Sequence, residues 1–258
     1  MKFQKILGID IGGSGIKGAP VDTKNGDILE TRYRLETPDP SSPKAIAQAV
    51  TNMVKHFKWK GPVGCGFPGV IQKGFVRTAA NVDKSWIDTN INKLLSKSTG
   101  LPVYGINDAD AAGLAEMKFG AGKDKKGVVL LLTIGTGIGT VLFSNGRLVP
   151  NLEMGHIELH GMDAEKQCSD AIRKELDLSW EDWGNKFNEY LLAIEALLWP
   201  DLIILGGGAS KKTDKFIEFL KVKAKIVTAK LLNDAGLVGA ALAAKYQYGL
   251  DKKKDKSK

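Results

Sequence analysis

The chain has 258 residues, 43% of them hydrophobic, enough for a full core built as one large domain or two smaller lobes. Its formal charge of +8 suggests a polyanionic partner, yet the last eight residues, DKKKDKSK, hold five Lys and two Asp and so supply +3 of it. No apolar run approaches the roughly 20 residues that span a bilayer, and MKFQKILGID turns polar too soon for a signal peptide, so no membrane partner and a cytoplasmic location are expected.

In chain order, KILGID reads as a buried strand closed by Asp10, followed by the glycine turn GGSG at 12–15 and the strands APVD and DILETRYRLE. PKAIAQAVTNMVKHF is a helix with an apolar stripe and Pro at its first turn. GPVGCGFPG is a strand leading into a loop, INKLLSKSTG a helix stopped by Gly, LPVYGIN a strand and ADAAGLAEMKFG a helix. GVVLLLTIGTGIGTVLF then gives two apolar strands around a second glycine turn. A polar stretch, a long helix through NEYLLAIEALLWP, the strand DLIILGGG, a helix from ASKKTDKF, the strand KIVTA and a last helix AGLVGAALAAKYQ complete the chain.

Helices recurring between β-branched strands imply an α/β architecture. Strand, glycine turn, strand occurs at LGIDIGGSGIKGAPV and again at LLTIGTGIGTVLF, which predicts one design used twice and a cleft between the two lobes. The expected partition is a lobe over 1–107, a lobe over 108–250 whose last helix can return to the first, and a solvated tail over 251–258.

The glycine turns let backbone N–H groups approach an anion, and Ser14 and Thr136 add hydroxyl donors; a tight hairpin without ligand is the plainer use of either turn. Asp10, ending a strand beside such a turn, is placed to hold Mg²⁺, since hard cations take oxygen ligands. The GGG at 206–208, with Lys211 and Lys212 behind it, forms a further anion site if a helix begins there. Asn107 and Asp108 stand at a strand-to-helix junction, where such residues ordinarily cap. A hydroxyl accepting a phosphoryl group needs a carboxylate to take its proton, and Asp108 has the position for it. Glu153 and His156 in NLEMGHIELHG suit carbohydrate hydroxyls better than metal, while His160 reads as a surface histidine. The loop RTAANVDKSWID offers Asn81, Asp83, Lys84 and Trp86 as a hydroxyl-reading set. Cys65 and Cys168, far apart in sequence, are expected to be plain thiols.

The motifs IDIGGSGIKG, GFPGVI, INDADAAGLAE, TIGTGIGT, LEMGHIEL and LIILGGG, in this order over nearly the whole chain, resemble the ROK family of sugar kinases, within the actin and hexokinase fold superfamily. RTAANVDKSW, NDAD and GGGASKKTDKF are similar to the members of that family that use polyphosphate. The resemblance implies a two-lobed, ribonuclease H-like α/β fold and transfer of a phosphoryl group to the 6-hydroxyl of glucose, from inorganic polyphosphate or also from ATP. It makes Asp108 the catalytic base and Asn81, Lys84, Asn107, Glu153 and His156 sugar-pocket residues. Asp10, Gly12, Gly13, Ser14, Lys17, Thr136, Gly137, Gly207, Gly208, Lys211 and Lys212 would surround the donor phosphates and Mg²⁺. Many ROK members carry a cysteine-rich zinc site after the GH pair, whereas HGMDAEKQCSD keeps only Cys168, so no structural zinc is expected. A homodimer is implied by the resemblance, and no nucleic-acid partner is expected because the phosphate-loop strand starts at residue 5 with no helix-turn-helix before it. The rival readings are a strictly ATP-dependent hexose kinase and a sugar sensor that kept the pocket without the chemistry.

Overall fold

The computed structural model describes the backbone of residues 4–254 and the side chains of residues 4–249. The chain forms two compact units, one taking the residues up to Ala115 together with those from Asp234 onward, the other taking Glu116–Asn233.

Unit 1 contains β1 (Lys5–Ile11), β2 (Ile16–Asp22), β3 (Tyr33–Leu35), α1 (Pro43–His56), β4 (Val63–Phe67), the small hairpin β5 (Ile71–Gln72) and β6 (Phe75–Val76), α2 (Ile91–Thr99), β7 (Val103–Asn107) and the start of α3 (Asp108–Phe119). Its sheet runs β3-β2-β1-β4-β7, antiparallel from β3 to β1 and parallel from β1 to β7. In β1 the side chains of Ile6, Leu7, Ile9 and Ile11 are all buried, the pattern of a strand covered on both faces. On one face α1 contributes Ile46, Val50 and Met53; Ser42 caps it and Pro43 enters its first turn. α2 is capped by Asn90 and stopped by Gly100 in the left-handed region at φ 69°.

The last helix, α7 (Ala235–Lys254), packs on β1, β4 and β7. Its run of small residues permits this: Gly8 and Gly64 sit so close beneath it that a Cβ on either would overlap the carbonyls of Leu237 and Ala240. Unit 1 is thus discontinuous in sequence, and the boundary falls inside α3 at Ala115 rather than at 107. α7 also takes in residues 251–254 of the expected tail, the rest of which lies outside the described residues.

Unit 2 contains β8 (Val128–Ile134), β9 (Ile138–Ser144), β10 (Arg147–Val149), the hairpin β11 (Glu158–Leu159) and β12 (Met162–Asp163), α4 (Glu165–Cys168), α5 (Asp170–Glu175), α6 (Trp180–Leu198), β13 (Leu202–Gly207) and β14 (Lys225–Thr228). Its sheet runs β10-β9-β8-β13-β14 with the same antiparallel-then-parallel pattern, so the repeated design seen in sequence is a repeated sheet. Trp183, Phe187 and Tyr190 of α6 pack with Phe216 into its core. DILETRYRLE is a strand only at Tyr33–Leu35, with Ile28 making one isolated bridge to Val21. The exposed, charged Glu30 and Arg32 interrupt it, as befits a sheet edge.

Candidate active site

In unit 1 the parallel strands β1, β4 and β7 bring their carboxyl ends together, the usual ligand edge of an α/β sheet. Asp10 pairs across to Gly66 and Phe67 to Asn107. A Cβ on Gly66 would lie 3.7 Å from Asp10 Oδ1 and 3.6 Å from Asp108 Cα, so the glycine keeps open the space that both acids border. Gly236, at the start of α7, does the same on another side, its missing Cβ falling 3.2 Å from Asp10 Oδ1. Burial pushes the Asp10 carboxyl above its ordinary range and Lys17 pulls against it. A carboxylate stripped of water, with room left around its oxygens, fits a hard divalent cation.

The first glycine turn closes through Gly12 N–H donating to Gly15 O at 3.1 Å. Thr37 donates to Gly12 O at 2.6 Å and Arg34 to Ser14 O at 2.8 Å. With those carbonyls occupied, an anion meets donors on the exposed Gly13 and Ser14 rather than lone pairs. Register places Lys17 opposite both Asp10 and Arg34, so the three form a row across β1, β2 and β3 on one face. Arg34 was hidden in sequence because its strand is three residues long; only the pairing of β2 with β3 reveals it.

Asn107 caps α3, accepting from Asp110 N–H at 2.9 Å and donating to Gly69 O at 3.3 Å. Asp108 Oδ1 accepts from Ala109 N–H at 2.8 Å, which fixes its rotamer at the helix start. Asn81 is exposed, its carbonyl 3.9 Å from where a Gly13 Cβ would be, and Lys84 is exposed on a 3₁₀ turn at Lys84–Trp86. Two members of the expected hydroxyl-reading loop are structural instead. Trp86 is fully buried against Phe67 and donates to Ser41 O, and Asp83 caps the 3₁₀ turn.

In unit 2 the second glycine turn closes through Gly135 N–H to Gly137 O at 3.0 Å, leaving Thr136 exposed. Glu165 Oε2 accepts from Ile138 N–H at 3.1 Å and lies where a Gly137 side chain would go. Thr140, buried in β9, bonds Leu152 O and Met154 N and so fixes the approach to Glu153. His156 Nε2 is 3.9 Å from Glu153 Oε2, while Nδ1 is 3.0 Å from Asp163 Oδ2 and 3.8 Å from Glu165 Oε1. The Asp163 hydrogen bond raises the His156 pKa, and desolvation opposes it. Burial raises Glu153. Asp163 and Glu165 lie in a polar stretch without a motif, and a two-residue hairpin turn at His160 and Gly161 is what returns Asp163 to His156.

Among the described residues, His156, Asp163 and Glu165 are the group whose ligand atoms, all within 4.8 Å, could meet on a metal. His156 Nδ1 and Asp163 Oδ2 already hydrogen-bond each other, and Glu165 Oε2 accepts from Ile138 N–H. Cys168 stays apart, donating to Ala164 O, its thiol pushed up to about 12 by burial. His160 lies exposed beside Glu189.

The GGG segment requires correction. Gly207 has φ 79° and packs against the end of β8 so closely that a Cβ would overlap Ile134. The residues after it form no α-helix but a 3₁₀ stretch, Ala209–Lys215, broken at Lys212 with φ −123°. Ser210 and Thr213 turn their hydroxyls onto Gly207 O and Ser210 O, satisfying carbonyls that an α-helical ladder would use. A helix dipole is therefore absent there, and an anion would rely on the turn at Gly207 and Gly208 and on exposed Lys211 and Lys212.

Asp170 lies 4.0 Å from a Gly208 Cβ position, and the next residue, Ala171, donates to Gly135 O, so the start of α5 meets the second glycine turn and borders the turn at Gly208. Burial acts to raise the Asp170 carboxyl, but hydrogen bonds from Lys174 and Arg173 outweigh it and leave it below the ordinary value. Its stabilisation is therefore present above the unfolded pKa and lost as pH falls through the folded one. Asp170→Asn is expected to cost about 1 kcal/mol at neutral pH, Lys174 being largely solvated. Urea melts at several pH values should show that difference shrinking on acidification.

The ROK family model matches residues 6–172. The chain is 48% identical over 239 residues to the polyphosphate glucokinase of Mycobacterium tuberculosis (strain CDC 1551 / Oshkosh), covering 92% of this chain and 90% of that one. It is 46% identical to that of Mycobacterium leprae (strain TN), covering 92% and 74%. The crystal structure of an inorganic polyphosphate/ATP-glucomannokinase from Arthrobacter sp. strain KM superposes with a TM-score of 0.89 at 47% identity, covering 94% and 99%. That of a ROK family glucokinase from Streptomyces griseus, at 24% identity and TM-score 0.79 over 94% and 99%, speaks to the fold alone.

Proposed function

The chain belongs to the ROK family, and from that premise we propose that it transfers a phosphoryl group from inorganic polyphosphate to the 6-hydroxyl of glucose. The observation that supports the chemistry is the shared border of Asp10 and Asp108 around Gly66, where Asp10 would serve as the cation ligand and Asp108 as the general base. Asp108 orients the sugar hydroxyl and accepts its proton as the oxygen–phosphorus bond forms. Asn81, Lys84, Asn107, Glu153 and His156 read the sugar hydroxyls, with Glu165 beside His156. The turns at Gly12–Ser14 and Thr136–Gly137, with Lys17, Gly207, Gly208, Lys211 and Lys212, hold donor phosphates. Asp10 would hold Mg²⁺, which when bound neutralises charge on the donor. Most of the acceleration then comes from positioning and electrostatics.

ATP as second donor and mannose as second acceptor are favoured by the likeness to the polyphosphate/ATP-glucomannokinase. The reading includes a homodimer, supported by the exposed Leu192, Leu197 and Trp199 at the end of α6, and a cytoplasmic setting, supported by two buried free thiols. Among the described residues no helix is long and apolar enough to cross a membrane.

Glucose 6-phosphate formation with Mg²⁺ is expected to run faster with long-chain polyphosphate than with ATP and to slow as salt screens the lysines. Turnover with ATP alone would make the protein a conventional hexose kinase. Sugar binding in a calorimeter without turnover on any donor would make it a sensor.

A further inference from the structure

We propose that Asp163 is the positioning residue that fixes the tautomer of His156, so that the imidazole meets the sugar with Nε2 as a hydrogen-bond acceptor. The inference rests on the reading of His156 as a sugar contact.

Asp163 Oδ2 lies 3.0 Å from His156 Nδ1. A carboxylate only accepts, so Nδ1 carries the proton and donates, and in the neutral ring Nε2 is left with its lone pair. The other Asp163 oxygen, Oδ1, is buried with no hydrogen-bond partner among the described residues, so the imidazole is the carboxylate's one side-chain partner there. Both ends of the pair are braced. Gln167 donates to Leu159 O and Met162 O and so holds the hairpin that delivers Asp163. Gly155 fits against Ile138 so tightly that a Cβ would overlap its carbonyl, which sets the backbone just before His156. Glu165 Oε1, 3.8 Å from the same nitrogen, and Glu153 Oε2, 3.9 Å from Nε2, stand at nearly equal distances and offset each other, so the 3.0 Å bond to Asp163 decides the tautomer.

The consequence is a division of labour over the sugar. Glu153, 3.9 Å from Nε2, can only accept from a hydroxyl once ionised. A neutral His156 of the imposed tautomer also accepts, so this corner selects hydroxyls that donate outward, and a ring with the opposite tautomer would present an N–H instead.

The test uses the full chain labelled with ¹⁵N in histidine, with His156→Ala assigning the resonances. In the parent protein above the His156 pKa, Nδ1 should appear as the protonated nitrogen and Nε2 as the bare one. Asp163→Ala should lose that pattern and raise the glucose KM about tenfold, leaving the polyphosphate KM within about twofold. Asp163→Asn, whose amide oxygen still accepts from Nδ1–H, should recover most of both. An unprotonated Nδ1 in the parent protein overturns the proposal. So does an unchanged glucose KM in Asp163→Ala while His156→Ala raises it. If His156→Ala leaves that KM unchanged as well, the assignment of His156 to the sugar falls and the proposal falls with it.

Discussion

Asp108→Asn is expected to lower kcat at least about 100-fold while glucose still binds, because it removes a proton acceptor and preserves shape. The structural reason is the tight frame around this residue. Its Oδ1 is held by Ala109 N–H, Asn107 caps the helix it opens, and Gly66 lies against its Cα. Asparagine can keep that frame with its own side-chain oxygen, so folding and sugar affinity should stay near those of the parent chain. Measuring kcat by glucose 6-phosphate release and affinity by calorimetry on one preparation checks both halves. Near-normal turnover would remove Asp108 from its role as base, and equal loss of turnover and binding would mark it as a sugar ligand only.

The second large effect concerns stability. Gly64→Ala is expected to cost about 3 kcal/mol, the upper end of what overpacking usually costs and a large share of the total stability of an ordinary domain. The added methyl has no gap to enter: it meets backbone on the Ala240 and Ala241 side of α7, which a rotamer change cannot clear. Strand and helix would have to separate, loosening contacts along β1 and β4 together. Gly249→Ala on the same helix is the control, since among the described residues a Cβ there meets nothing within 4 Å and alanine favours the helix by up to about 1 kcal/mol. Denaturant midpoints of the two variants should therefore move in opposite directions. A Gly64→Ala midpoint close to that of the parent chain would mean that α7 does not seat on β4 as described.

Both sheets were legible because their first hairpins combine long apolar strands with glycine turns, a pattern few other structures satisfy. α1 and α2 announced themselves through their apolar spacing, Pro43 and Gly100, and the structure adds Ser42 and Asn90 as their N-caps. The features that stayed hidden depend on partners distant in sequence. Trp86 in a polar loop looked like a binding aromatic, and only the arrival of Phe67 and Ser41 makes it core. Ser210 and Thr213 looked compatible with a helix until their hydroxyls found nearby carbonyls. Asp163 and Glu165 carry no motif; a hairpin turn and a hydrogen bond to Ile138 give them a place. The positions of the candidate site residues on glycine turns and strand ends were readable because turns and strand ends are written in local sequence, and such positions offer backbone groups to ligands.

The return of α7 to the first sheet also sets an order of events during synthesis. Residues 116–233 form one uninterrupted segment, so that unit has every residue it needs while the last helix is still being translated. The amino-terminal sheet emerges earlier yet must wait, with Gly8 and Gly64 uncovered, until α7 leaves the ribosome. The first part made is the last completed, and until α7 arrives the apolar face of β1 and β4 that it covers stays open to solvent.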